Sequence, residues 1–157
     1  MGMGKIVSRS VDGGSAVFLR DATLNDSDKS FTVPSNKIWR LRYVHCDITA
    51  TATAGSRNLI ALVSDGTDVL FTSGRTGNIA AGQTGCLKVC MGGGLLTTST
   101  NFVPMLSGAV PNVSLGIGFQ HEFDMLAGYV IRVCDIAAID AAADDMTVVL
   151  HYEELDV

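Results

Sequence analysis

Three histidines, four cysteines and one acidic run are the residues of this 157-residue chain whose types could do chemistry. The histidines are His45, His121 and His151. A metal-dependent enzyme on a cupin-type β scaffold needs His-x-His followed shortly by Glu, and no such string occurs. His121-Glu122 opens like the zinc-protease helix motif, but the place of its second histidine, four residues on, holds Met125. The cysteines are Cys46, Cys86, Cys90 and Cys134, none in a C-x-x-C pair. In a strand, Cys86 and Cys90 stand roughly 13 Å apart, beyond the Cα separation of about 7 Å that a disulfide tolerates. All four are read as reduced, small, buried apolar residues. Nucleophilic catalysis needs a base held by a third group. No G-x-S-x-G elbow is present, and nothing in the sequence brings His45 or His151 beside Cys46 or Cys134. Gly116-Ile117-Gly118 lacks the third glycine and the βαβ setting of a dinucleotide site.

The acidic run, Asp135, Asp140, Asp144 and Asp145, is the one cluster with the hardness for calcium. Calcium loops use a glycine for their sharp turn, and none lies between Asp135 and Asp145. The run is read as a solvated acidic loop, with Asp140 able to cap a short helical turn. Trp39 and Tyr43 could form a sugar-stacking face, but aromatic residues alternating along a strand predict core. The expectation is therefore no catalytic residue, no cofactor and no metal: a chain that is not an enzyme.

The elements that would carry these residues are strands. Phe31–Val33 stops at Pro34, and Ser35-Asn36-Lys37 reads as a turn. A long strand follows from Ile38 to about Thr53, with Trp39, Leu41 and Tyr43 on one face. Beyond Tyr43 the apolar positions become Val44, Cys46 and Ile48, one step out of phase, which predicts a β-bulge or a bend between sheets. Leu59–Val63 and Val69–Phe71 flank Ser64-Asp65-Gly66-Thr67, a strong hairpin cue. Gly77 to Gly85 reads as loop. Leu87, Val89 and Met91 alternate with Cys86, Lys88 and Cys90. Gly92-Gly93-Gly94 opens a low-complexity connection, and Val113–Ile117 is a weaker strand. Leu126-Ala127-Gly128 turns into Tyr129–Cys134, with Tyr129, Ile131 and Val133 inward. Residues 146–152 place Met146, Val148, Leu150 and Tyr152 on one face. Seven or eight short strands and no long helix predict an all-β, two-sheet sandwich of jelly-roll type over residues 31–157. Residues 1–30 read as an extended N-terminal arm or a first strand.

Composition narrows the partners. Eleven Lys and Arg against sixteen Asp and Glu leave a net charge of −5, with no basic cluster, so phosphate-driven nucleic-acid binding is not expected. No apolar run approaches the roughly 20 residues that span a bilayer, and MGMGKIVSRS lacks the apolar centre of a signal peptide. Charged residues make up only 17% of the chain, below the usual ~25%, which points to surface covered by sister subunits or a partner.

Two stretches carry a resemblance. Val33-Pro34-Ser35-Asn36-Lys37-Ile38-Trp39-Arg40-Leu41, continuing through Thr49–Arg57, resembles small virion proteins of tailed bacteriophages. So does Leu126–Val133, followed by Asp135 and by Ala138–Val148. The resemblance covers about half the chain. It implies a particle component made in the host bacterial cytoplasm: a head decoration (cement) protein, homo-oligomeric as a trimer, seated on the major capsid protein at the capsid surface. The alternative is a tail, neck or fibre module that binds host glycans through exposed Trp39, Tyr43 or Tyr129.

Overall fold

A computed structural model describes residues 4–9, 14–90 and 123–157. Gly92–Gly94, Met91, His121 and the strand expected at 113–117 fall outside them. Among the described residues there are twelve strands and no helix: β1 (Gly4–Arg9), β2 (Ser15–Asp21), β3 (Asp28–Thr32), β4 (Lys37–Thr49), β5 (Ser56–Arg57), β6 (Leu59–Ser64), β7 (Val69–Thr72), β8 (Ile79–Ala80), β9 (Thr84–Cys90), β10 (Phe123–Met125), β11 (Val130–Asp135) and β12 (Asp145–Asp156).

One sheet runs β1-β2-β12-β4, and the far edge of β4 is shared by β10 at its start and β9 at its end. The second sheet runs β3-β11-β6-β7, and β5 and β8 form a small pair of their own. Four antiparallel pairs nest within one another in the chain: β2 with β12, β3 with β11, β4 with β9, β6 with β7. Successive members fall in alternate sheets, which is the winding of a jelly roll. The expected all-β sandwich is thus the observed one. Residues 15–30 belong to it: β2 lies between β1 and β12, and β3 begins at Asp28.

The core follows from period-2 alternation. Met146, Val148, Leu150 and Tyr152 are all buried, as are Leu87, Val89, Ile131 and Val133. Each such side chain contributes roughly 1.5–3 kcal/mol by leaving water. β4 shows the predicted phase slip in atomic form. His151 faces Tyr43 and Tyr152 faces Leu41, leaving Arg42 as the extra residue of a bulge. The bulge moves Tyr43 off the inner face that Trp39 and Leu41 share, so Tyr43 stands half-buried on the outer face beside His45.

The hairpin cue also holds. β6 and β7 are joined across Asp65–Asp68, where Gly66 has φ +98°, a conformation that glycine adopts without strain. Beyond β7 the ladder is continued by side chains: Ser73 Oγ and Thr76 Oγ1 accept from the backbone N–H of Ala61 and Leu59, each at 2.9 Å.

Among the described glycines, Gly85 sits closest to a neighbour. A Cβ there would lie 2.4 Å from Ile79 Cδ1, and Ile79 is itself buried. Gly85→Ala is expected to cost about 1–3 kcal/mol by overpacking. A urea titration checks it, and pairing the change with Ile79→Val should restore part of the loss.

Candidate functional site

The acidic run does not form a solvated loop. Asp144 is fully buried, and its carboxylate receives Arg57 Nε at 2.9 Å and Nη2 at 3.2 Å, with the Thr51 N–H at 2.7 Å. Arg57, also fully buried, gives its remaining N–H groups to the carbonyls of Thr53 (2.9 Å) and Gly55 (3.2 Å) and to Thr51 Oγ1 (3.1 Å). All five guanidinium donors are therefore matched. The Asp144 carboxylate beside it holds the guanidinium charged even more firmly than usual.

Asp140 does not cap a helix. Its φ is +52°, and its carboxylate accepts from the hydroxyls of Thr51 and Thr53 (the latter at 2.7 Å). Those hydroxyls hold its carboxyl below the ordinary range. Asp135, 6% exposed, accepts from the N–H groups of Asn58, Ala137 and Ile139, and Asp145 accepts from Asn25 N at 2.7 Å. The four carboxylates thus fasten the 135–145 turn to the segments at 25, 51–53 and 57–58. Chemically this is a clasp, with each of the four carboxylates engaged by protein donors. No group of three or more His, Cys, Asp or Glu among the described residues is arranged to hold a metal ion.

The aromatic candidates separate by face. Trp39 is 3% exposed and stacks on Tyr152 at 4.1 Å, with Nε1 donating to Glu154 Oε2 at 3.2 Å. It is a core residue. Tyr129 is half-buried against the same core.

The outer face of the larger sheet carries most of the remaining polar chemistry. The register aligns Phe18, His151 and Tyr43 in one row across β2, β12 and β4, and Arg20, Val149, His45 and Lys88 in the next. Phe18 and His151 stack at 4.2 Å, nearly parallel, while Phe18 remains 42% exposed. His45 is held at both ring nitrogens, by Asp47 at 2.7 Å and by the Tyr43 hydroxyl at 3.3 Å. Cys86 lies opposite Asp47 in the register. Burial pushes its thiol up, with Lys88 pulling the other way and Asp47 adding to the rise. His45 is thus engaged by Asp47 and Tyr43, and the Cys86 thiol favours its protonated form.

Cys46, pointing inward from the next position of β4, is buried and its thiol is pushed far up by desolvation. Cys134 lies in the other sheet. Alkylation of native protein at neutral pH should spare Cys46 while modifying the half-buried Cys86, more slowly than a free thiol because its proton is held, as peptide mass mapping would show. Equal modification of the two would contradict the packing.

His151 also gives the sandwich a pH response. Burial lowers its pKa, reinforced by Arg42 and opposed by Glu153. A histidine with a depressed folded-state pKa favours the folded chain only while neutral. That contribution is present above the unfolded value near 6.5 and is lost as pH falls through the lower folded value. Stability should therefore decline on acidification below about pH 6.5, and His151→Gln should flatten that part of the curve in pH-stepped thermal melts.

The sequence left three participants unnamed: Arg57, Lys29 and Phe18. Lys29 is 1% exposed, with Nζ donating to Thr23 O at 2.9 Å and Asp26 Oδ2 at 3.0 Å, and 3.7 Å from Asp21. Buried cations carry no periodic signal, so only their partners reveal them.

No known family model matches the chain, and no curated protein is similar to it.

Proposed function

We propose that this chain is a structural, non-enzymatic component of a virus particle. More particularly, it is a head decoration (cement) protein of a tailed bacteriophage, homo-oligomeric as a trimer, that binds the outer surface of the major capsid lattice and stabilises the head. The observation that carries the reading is how the two phage-like stretches meet. Val33 N donates to Tyr129 O at 2.9 Å and Gly128 N to Val33 O at 3.0 Å. Asp145 of one stretch pairs with Thr49 of the other where β12 meets β4, and Arg57 is locked to Asp144. The segments that resemble virion proteins therefore form one continuous structural unit. Its buried carboxylates and cations are each engaged by protein partners, which suits a part whose work is holding shape. Repeated modest contacts on a lattice add up to firm attachment.

The test is to add purified protein to heads assembled from the major capsid protein alone. Co-sedimentation with heads, outer-surface density by electron microscopy and a raised temperature of head rupture are expected. Heads that neither bind the protein nor gain stability would refute the reading.

A further inference from the structure

We propose that the outer face of the larger sheet receives the β6–β7 hairpin of a second copy of this chain. The inference rests on the self-association contained in the proposed function and supplies its contact. The receiving face has an aromatic centre, Phe18 with His151 and Tyr43, and a rim that includes the exposed Arg20 and the half-exposed Lys88. Aromatic centres ringed by charged side chains are the anatomy of protein-docking surfaces. Arg20 and Lys88 stand at the two ends of one row of this face, whose carboxylates Asp47 and Glu153 are paired with His45 and Arg42.

The hairpin has the complementary make-up. Val69 is 60% and Leu70 45% exposed, directly beside exposed Asp65 and Asp68. β7 is an edge strand of the smaller sheet, so the hairpin belongs to a surface distinct from the receiving face. The tip is also held in shape before any contact. Asp65 Oδ1 accepts from the N–H groups of Thr67 and Asp68, both at 2.8 Å, and Asp65 N donates to Asp68 O at 3.2 Å. A preorganised loop loses little entropy on docking. Leucine and valine against the Phe18–His151 stack, with aspartates against Arg20 and Lys88, match apolar to apolar and acid to base. Because donor and receiver are different surfaces, the contact is head-to-tail, the kind that closes into rings when the rotation permits.

The arrangement makes a prediction that a symmetric contact would not. Phe18→Asp disables the receiving face, and Leu70→Asp disables the hairpin. By sedimentation velocity of the full chain, the wild type should self-associate with rising concentration and less so at high salt. Each variant alone should associate more than about tenfold more weakly, the size expected for removing a central anchor. Mixed together, the two should form dimers, since the mixture still holds one intact face and one intact hairpin. Lys88→Glu serves as a second face variant should Phe18→Asp fail to fold by circular dichroism. A monomeric wild type at every concentration, a folded variant that associates like the wild type, or a mixture that stays monomeric would each overturn the proposal. These measurements use no capsid, so their failure is separate from failure to bind heads.

Discussion

Arg57→Ala should destabilise the protein by about 3–5 kcal/mol, the usual cost of removing one partner from a buried ion pair. The change leaves the Asp144 carboxylate fully buried with the Thr51 N–H as its remaining donor, and strips donors from the carbonyls of Thr53 and Gly55. It also loosens the 135–145 turn from the segment after β4, which the guanidinium binds together. Asp144→Ala removes the same pair from the other side. The Arg57→Ala/Asp144→Ala double variant should therefore lose little more than either single variant, giving a large coupling energy in a double-mutant cycle. Additive losses would mean that the two side chains act separately. Denaturant unfolding followed by circular dichroism measures all four corners of the cycle.

Trp39→Ala is expected to cost about 3–5 kcal/mol. The indole fills the inner face of β4, stacked on Tyr152, and its N–H is satisfied by Glu154. Truncation removes the ring and leaves a cavity between β4 and β12 in the centre of the larger sheet. In a chain of this size the melting temperature should fall by on the order of 10 °C. As the single tryptophan of the chain, Trp39 also reports on itself. Native fluorescence should be blue-shifted and shielded from acrylamide. A negligible loss of stability together with open quenching would place the indole at the surface and contradict the core assignment.

The legible part of this molecule was the part governed by alternation. Residues 146–152 expose their period plainly, and all four inward side chains are buried as read. The phase slip after Tyr43 announced the bulge, because one inserted residue reverses every later side chain. It placed Tyr43 before the slip with Trp39 and Leu41, whereas the extra residue is Arg42 and Tyr43 falls beyond it on the outer face. The acidic run was misread for a different reason. Its aspartates look solvated when only their neighbours in sequence are considered, yet their partners Thr51, Thr53, Arg57 and Asn58 lie roughly eighty to ninety positions away.

By itself the sequence determined the longer strands, the all-β class and the burial of Trp39, because side-chain alternation is a local property written in neighbouring residues, whereas β8, inside the expected 77–85 loop, is too short to show it. Only the tertiary structure decided where the charges went. The burial of Arg57, Lys29 and Asp144, the fastening of the acidic turn, and the alignment of Phe18, His151 and Tyr43 in one row all depend on which strands pair. Pairing brings together residues far apart in the chain, and hydrogen-bond partners at that range leave no periodic trace.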